Sequence, residues 1–352
     1  VRRFGFLIGA LIGVAVFGQP SSAQSPVFEY ALFDDTLEGL RIEAGIPAIS
    51  AAIVQDGKIA WATGHGKVDV EANVAARPDT PYVVGSLAQT LGSTLLLRRC
   101  LDQSYLELGD NITRWTPTYP ETGTSVRDLL THTAPDGGFR YAPARLSALR
   151  GVVEECAYGQ YPQLLAQQLF ELLGMLSSVP GQTLSAPTPA DASIFDAARL
   201  SRYADILRRV AVPYRVISRR PIRNTELLPA RLDFAQGVVS TALDLALFDI
   251  GYDSGFLAEA TRQLTLSQAV ANGKPLPTGL GWFVQAHNGE PIAWQFSAIE
   301  NAYSSLIVKV PNRRLTLILL ANSDGLTAPF ALENGDVTAS IFARTFLKTF
   351  LP

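Results

Sequence analysis

Between Thr80 and Leu101 the chain reads TPYVVGSLAQTLGSTLLLRRCL, a short extended entry followed by an almost wholly apolar helix. A helix without a polar face has to be surrounded by other elements, so this segment is expected at the centre of the fold. Its first turn carries Ser86, with Gln89 three residues later on the same helical face. A serine at a buried helix N-terminus has backbone N–H groups and the positive end of the helix dipole beside it. That setting suits a developing oxyanion.

Upstream, Leu32, Phe33, Leu37 and Leu40 recur at helical spacing within 28–44, and Gly45-Ile46-Pro47 ends that helix. AISAAIVQ and KIAWATGHG then read as two strands joined at Asp56-Gly57, a strong hairpin signal. His65 falls at the end of that hairpin, where a solvated strand-end histidine is expected. A helix from about 191 to 210 follows a Pro-, Ser- and Thr-rich loop, with Asp191 as its N-cap. The stretch to 231 reads as irregular and carries Arg208, Arg209, Arg215, Arg219, Arg220, Arg223 and Arg231. It is either an anion-binding rim or a solvated loop. Strands are expected near 282–286, 292–296, 303–310 and 314–322, with turns at His287-Asn288-Gly289-Glu290 and Pro311-Asn312-Arg313, and a closing helix near 338–350.

The opening TPYVVGSLAQT resembles the S-x-x-K motif of the penicillin-recognising serine hydrolases, which include β-lactamases, DD-peptidases and esterases. THTA, YAP, LGM, VSTALDLA and LGWF follow in the family's order, so the resemblance spans nearly the whole chain after the first 23 residues. It implies a β-lactamase/transpeptidase-like α/β (α+β) fold: an antiparallel sheet built from residues 24–85 and 232–352, flanked by helices, with an inserted helical domain over 86–231. The implied cleft lies at Ser86, the candidate nucleophile. Three motif positions depart from the family pattern: Gln89 replaces the lysine, Pro143 replaces the asparagine of Y-x-N, and Phe296 stands where K-T-G or H-x-G begins. Tyr141 matches the motif tyrosine. Ser297, Ala298 and Ile299 complete the third motif, and Ile299 N–H is expected to pair with Ser86 N–H as oxyanion donors. By the same resemblance His132 belongs to a structural turn.

A serine hydroxyl is a poor nucleophile until a neighbour takes its proton, and an amide cannot serve as that base. The expectation is a catalytically impaired or silent family member acting as a binding protein. The alternatives are an active hydrolase with a non-standard base and a structural or interaction module. The ligand class implied by resemblance is a small molecule or peptidoglycan-like fragment, with no cofactor and no metal.

Arg2-Arg3, the apolar run from Phe4 to Phe17 and Ser21-Ser22-Ala23 read as a cleaved export signal over residues 1–23. Val1 fits a GTG start and a bacterial source. The expected location is periplasmic or secreted, with no stable membrane span after cleavage. Removing Arg2 and Arg3 takes the net charge from −3 to −5, which argues against a nucleic-acid partner. Cys100 and Cys156 are the only cysteines. They are read as structural, and export permits a disulfide between them. Oligomeric state is left open.

Overall fold

Asp56 and Gly57 turn the chain with positive φ at both positions, 52° and 73°, the backbone a tight hairpin needs. They join β1 (Ala48–Gln55) to β2 (Lys58–Asp69), in a computed structural model that describes residues 26–351. The expected signal over 1–23 lies outside the described residues. The other strands of the main sheet are β3 (Val74–Ala75), β4 (Phe283–His287), β5 (Glu290–Ile299), β6 (Tyr303–Val310) and β7 (Leu315–Ala321). All seven pair antiparallel in the order β4-β5-β6-β7-β1-β2-β3. The two ends of the chain therefore meet in mid-sheet, with Ile49 opposite Ala321.

Around this sheet lie the helices α1 (Pro26–Ala44), α2 (Ala88–Leu96), α3 (Leu149–Cys156), α4 (Ala242–Gly251) and α5 (Ile341–Phe350), with α3 packed on α2. Strand side chains alternate between faces, and here both faces are covered. On one, Ile49, Ala51, Leu317 and Leu319 pack with Phe33 and Leu37 of α1 and Phe342 and Phe346 of α5. On the other, Ala52, Val54, Ile318 and Leu320 pack with Leu91 and Leu95 of α2 and Leu245 of α4. Every residue of α2 is buried, as its apolar sequence requires. Burial of each of its leucines contributes roughly 2 kcal/mol relative to exposure.

The charged groups that bridge sheet and helix in this core are paired. Lys309 on β6 is fully buried and donates to Asp249 of α4 at 2.9 Å and to Asp253 at 2.6 Å, tying the sheet to the helix beside it. The helical turn Leu97–Leu101 that continues α2 brings Cys100 beside Cys156 of α3, and the two sulfurs are bonded across 56 residues of sequence. Closing a loop of that size contributes about 4 kcal/mol in the chain-entropy picture.

Three local expectations change. His65 is not a solvated strand end: β2 runs on to Asp69, and the imidazole lies 2.8 Å from Asp34 and 3.6 Å from Glu38 of α1. Two acids on a packed helix face hold it. The helix expected over 191–210 divides into Pro189–Ile194 and Ala197–Leu207. Asp191 is the third residue of a capping box begun by Thr188, and Asp196 caps the second helix, so two start signals make two helices. The arginine-rich stretch is not irregular throughout, because Tyr214–Ile217 and Arg220–Arg223 form a hairpin. Inside it, Ser218 and Arg219 take positive φ, 49° and 64°. The chain between α2 and α4 is thus mainly, but not wholly, helical.

Candidate active site

Gly85 has φ +55°, and a Cβ there would collide with the Ser297 hydroxyl. Only glycine lets the tight turn before α2 sit against β5, and that contact places Ser86 at the mouth of a cleft. Ser305 donates to the Val84 carbonyl at 3.0 Å and Thr90 to the Gly281 carbonyl at 2.9 Å, fixing both ends of the segment. The cleft has a volume of about 560 Å³ and is lined by Ser86, Tyr141, Pro143, Phe296, Ser297, Ala298 and Ile299, among others. The structure therefore brings the expected motif residues to one place, with Gln89 immediately behind them.

The hydrogen bonds around Ser86 run in one direction. His132 is 2 % exposed and has φ +53°. Its Nδ1 accepts from the Ala142 N–H at 3.3 Å, so the ring proton sits on Nε2, which donates to Gln89 Oε1 at 3.0 Å. That fixes the amide orientation, and Gln89 Nε2 donates to the Tyr141 hydroxyl oxygen at 3.2 Å. Tyr141 in turn donates to Ser86 Oγ at 3.4 Å, and Ser86 donates to the Phe296 carbonyl at 3.2 Å. The proton a nucleophile must lose is thus directed at a backbone carbonyl, which is no base.

The titratable members of this chain are both neutral near pH 7. Burial, helped by the positive field of Arg145, takes His132 down to about 3. Burial pushes Tyr141 up to about 12, against hydrogen bonds with Ser86 and Gln89 that favour its ionised form. Arg145 itself is bound to Glu121 and donates to the Thr133 carbonyl at 2.9 Å.

The oxyanion side is also occupied. The Ser86 N–H donates to Ser297 Oγ at 2.9 Å, so the expected pairing of Ser86 N–H with Ile299 N–H for an incoming carbonyl is corrected. Ile299 lines the cleft as the last residue of β5, but its expected co-donor is already satisfied by a side chain. Phe296, in place of a cation or imidazole, stacks on Tyr141 at 5.2 Å between ring centres and continues into Phe283 and Trp294. Pro143 opens a short helical turn over 143–148. Having no N–H and no polar side chain, it adds nothing to the network.

The same fold recurs in proteins already known. A family model described as Beta-lactamase matches residues 33–339. The chain belongs to the beta-lactamase family. Among relatives of this beta-lactamase-family protein is the human serine beta-lactamase-like protein LACTB, mitochondrial, 26% identical over 144 residues, which are 39% of this chain and 25% of that protein. The teichoic acid D-alanine hydrolase of Staphylococcus aureus is 26% identical over 97 residues, 27% of this chain and 24% of the hydrolase. The chain thus spans about a quarter of the length of these curated relatives. The octameric penicillin-binding protein homologue from Pyrococcus abyssi superposes with a TM-score of 0.70 at 18% identity, covering 91% of this chain and 77% of that one.

One feature of this family member was missed from sequence. His132 does occupy a left-handed turn, yet it also orients Gln89, so scaffold and site are one residue. Further, none of the seven arginines of 208–231 lines the cleft. Arg208 pairs with Asp205, Arg219 with Glu43 at 3.2 Å and Arg223 with Asp69 at 3.0 Å. The anion-binding rim is therefore absent from the described cleft. The charged residues lining it are Asp233, Glu300 and Glu333.

Proposed function

We propose that this beta-lactamase-family protein is a non-hydrolytic binding protein of the bacterial cell envelope, which uses the Ser86 cleft to hold a small molecule or cell-wall fragment without acylation. One observation carries the reading: Ser86 donates its hydroxyl hydrogen bond to the Phe296 carbonyl and its N–H to Ser297, with only neutral groups behind it. Losing a general base costs about 10²–10⁴ in rate, and losing one oxyanion donor costs about 10²–10³. The bond between Cys100 and Cys156 supports an oxidising compartment, and hence export.

The competing reading, an active hydrolase with Tyr141 as base, draws on the 3.4 Å contact between Tyr141 and Ser86. With Tyr141 held near 12, its ionised fraction near pH 7 is on the order of 10⁻⁵ and grows about tenfold per pH unit. Hydrolysis of a nitrophenyl ester should therefore match a Ser86→Ala control near neutrality. Any Ser86-dependent increment should keep climbing with pH and show no plateau. A Ser86-dependent rate that levels off between about pH 6 and 8 would require a base tuned to neutrality and would reject the non-hydrolytic reading.

A further inference from the structure

The binding reading leaves open what kind of ligand the cleft accepts, and its charges address that. Asp233, Glu300 and Glu333 all line it, and no lysine, arginine or histidine does. Within 4.0 Å none of these three carboxylates meets a cation among the described residues, whereas Glu121 and Glu290 elsewhere each hold an arginine. Asp233 is also held in place, accepting from the Ser147 hydroxyl and from the Phe234 N–H at 2.7 Å.

A second observation comes from the floor of the cleft. Ser297 is 2 % exposed and lines the cavity, and its oxygen is engaged by the Ser86 N–H. Its own hydroxyl proton has no acceptor among the described residues, although the Ser297 carbonyl is taken by Thr327 at 2.6 Å. A donor buried at the base of an open cavity calls for an acceptor on whatever fills it. The stacked rings of Tyr141 and Phe296 line the same cavity.

We infer that the Ser86 cleft takes a cationic amine: a small molecule with an ammonium group, an apolar body and a carbonyl or hydroxyl oxygen. The ammonium meets the carboxylates, the apolar body lies over Tyr141 and Phe296, and the oxygen accepts from Ser297. Three negative charges around a walled cavity concentrate cations and repel carboxylate-bearing ligands. The inference rests on the proposal that the cleft binds a ligand, and it is opposite in charge to the anion-binding rim that was one of the two readings of the arginine-rich segment.

The test is calorimetric titration of the protein with phenylalaninamide, N-acetylphenylalaninamide and N-acetylphenylalanine, which share a ring and a carbonyl but are cationic, neutral and anionic. The expected order is cation about tenfold or more tighter than neutral, with the anion weakest. Raising salt from about 20 to about 300 mM should weaken only the cation's binding several-fold. Glu300 and Glu333 are exposed, so the double variant Glu300→Gln, Glu333→Gln should fold normally. It should cut the cation's advantage over the neutral probe several-fold, with Asp233 holding the remainder, and an undiminished advantage would overturn the inference. Equal or tighter binding of the neutral or anionic probe would overturn the inference while leaving the binding reading in place. Binding by none of the three would overturn both. Ser86-dependent hydrolysis of phenylalaninamide, with the cation still preferred, would overturn only the non-hydrolytic reading.

Discussion

Gln89→Lys should produce a less stable protein that still turns over neither a nitrophenyl ester nor a chromogenic cephalosporin above a Ser86→Ala control. Position 89 is fully buried between the His132 ring and the Tyr141 hydroxyl. A lysine there has no acceptor to offer, so the His132 Nε2 proton loses its partner. No carboxylate bonds Gln89 or its two partners, so the ammonium would be desolvated without a counter-charge, and its pKa would fall. An unpaired buried charge of this kind costs on the order of 3 kcal/mol, readable as a drop of several degrees in the thermal midpoint. Chemistry would still be blocked downstream. Ser297 holds the Ser86 N–H, Phe296 fills the place of the steering cation, and Pro143 supplies no amide. Groups that act as one catalytic unit are strongly non-additive, so one restored member recovers little. The triple variant Gln89→Lys, Pro143→Asn, Phe296→His should do better than the single one. Turnover by Gln89→Lys alone, well above the control, would show a site intact but for its base.

Acid should destabilise the protein through His132, and by a large amount. The folded-state pKa is depressed from 6.5 to about 3, mainly by burial. The unfolded chain therefore binds a proton that the folded chain refuses. Stability from this residue is complete above the unfolded value and is lost as pH falls from about 6.5 towards about 3. A shift of that size corresponds to on the order of 4 kcal/mol at the acid end. Asp244 works in the opposite sense: burial raises it from 3.8 to about 6. Its contribution is present below about 3.8 and lost as pH rises through about 6. Comparison with His132→Asn separates the two, because asparagine tolerates the left-handed backbone and does not gain a proton in acid. At pH 7 the variant should be the less stable, having lost the bond to Gln89. Near pH 4 the order should reverse. Parallel stability curves, measured by denaturant melts across that range, would contradict the burial of a neutral His132.

The parts of this fold that are local were legible in the sequence. The apolar run of α2, the Asp56-Gly57 hairpin and the strands β6 and β7 follow from periodicity and turn chemistry, which act over a few residues. The ordered motifs placed Tyr141, Pro143 and Phe296 around Ser86 correctly. What could not be read was which polar groups would satisfy one another across the cleft. Ser297 reaches the Ser86 N–H over 211 positions of sequence, and nothing local in Phe296-Ser297-Ala298 marks that hydroxyl as an acceptor. His132 looked like a turn residue because it is one; its second role depends on Ala142 and Gln89 arriving from two other segments. The arginine-rich stretch stayed open between two readings for a similar reason. Arg219 and Arg223 find their acids 176 and 154 residues away, on α1 and at the end of β2 rather than at the cleft.

Whether Ser86 can form a covalent bond with an acyl or phosphonyl donor is decided most directly by intact-mass spectrometry. Separate samples are exposed for minutes to a penicillin, a cephalosporin and a fluorophosphonate. With its hydroxyl hydrogen-bonded to the Phe296 carbonyl and its N–H to Ser297, Ser86 should remain unmodified and the protein mass unchanged in all three. A stoichiometric mass gain that maps to Ser86 and vanishes in Ser86→Ala would contradict that outcome and make the chain a working serine hydrolase.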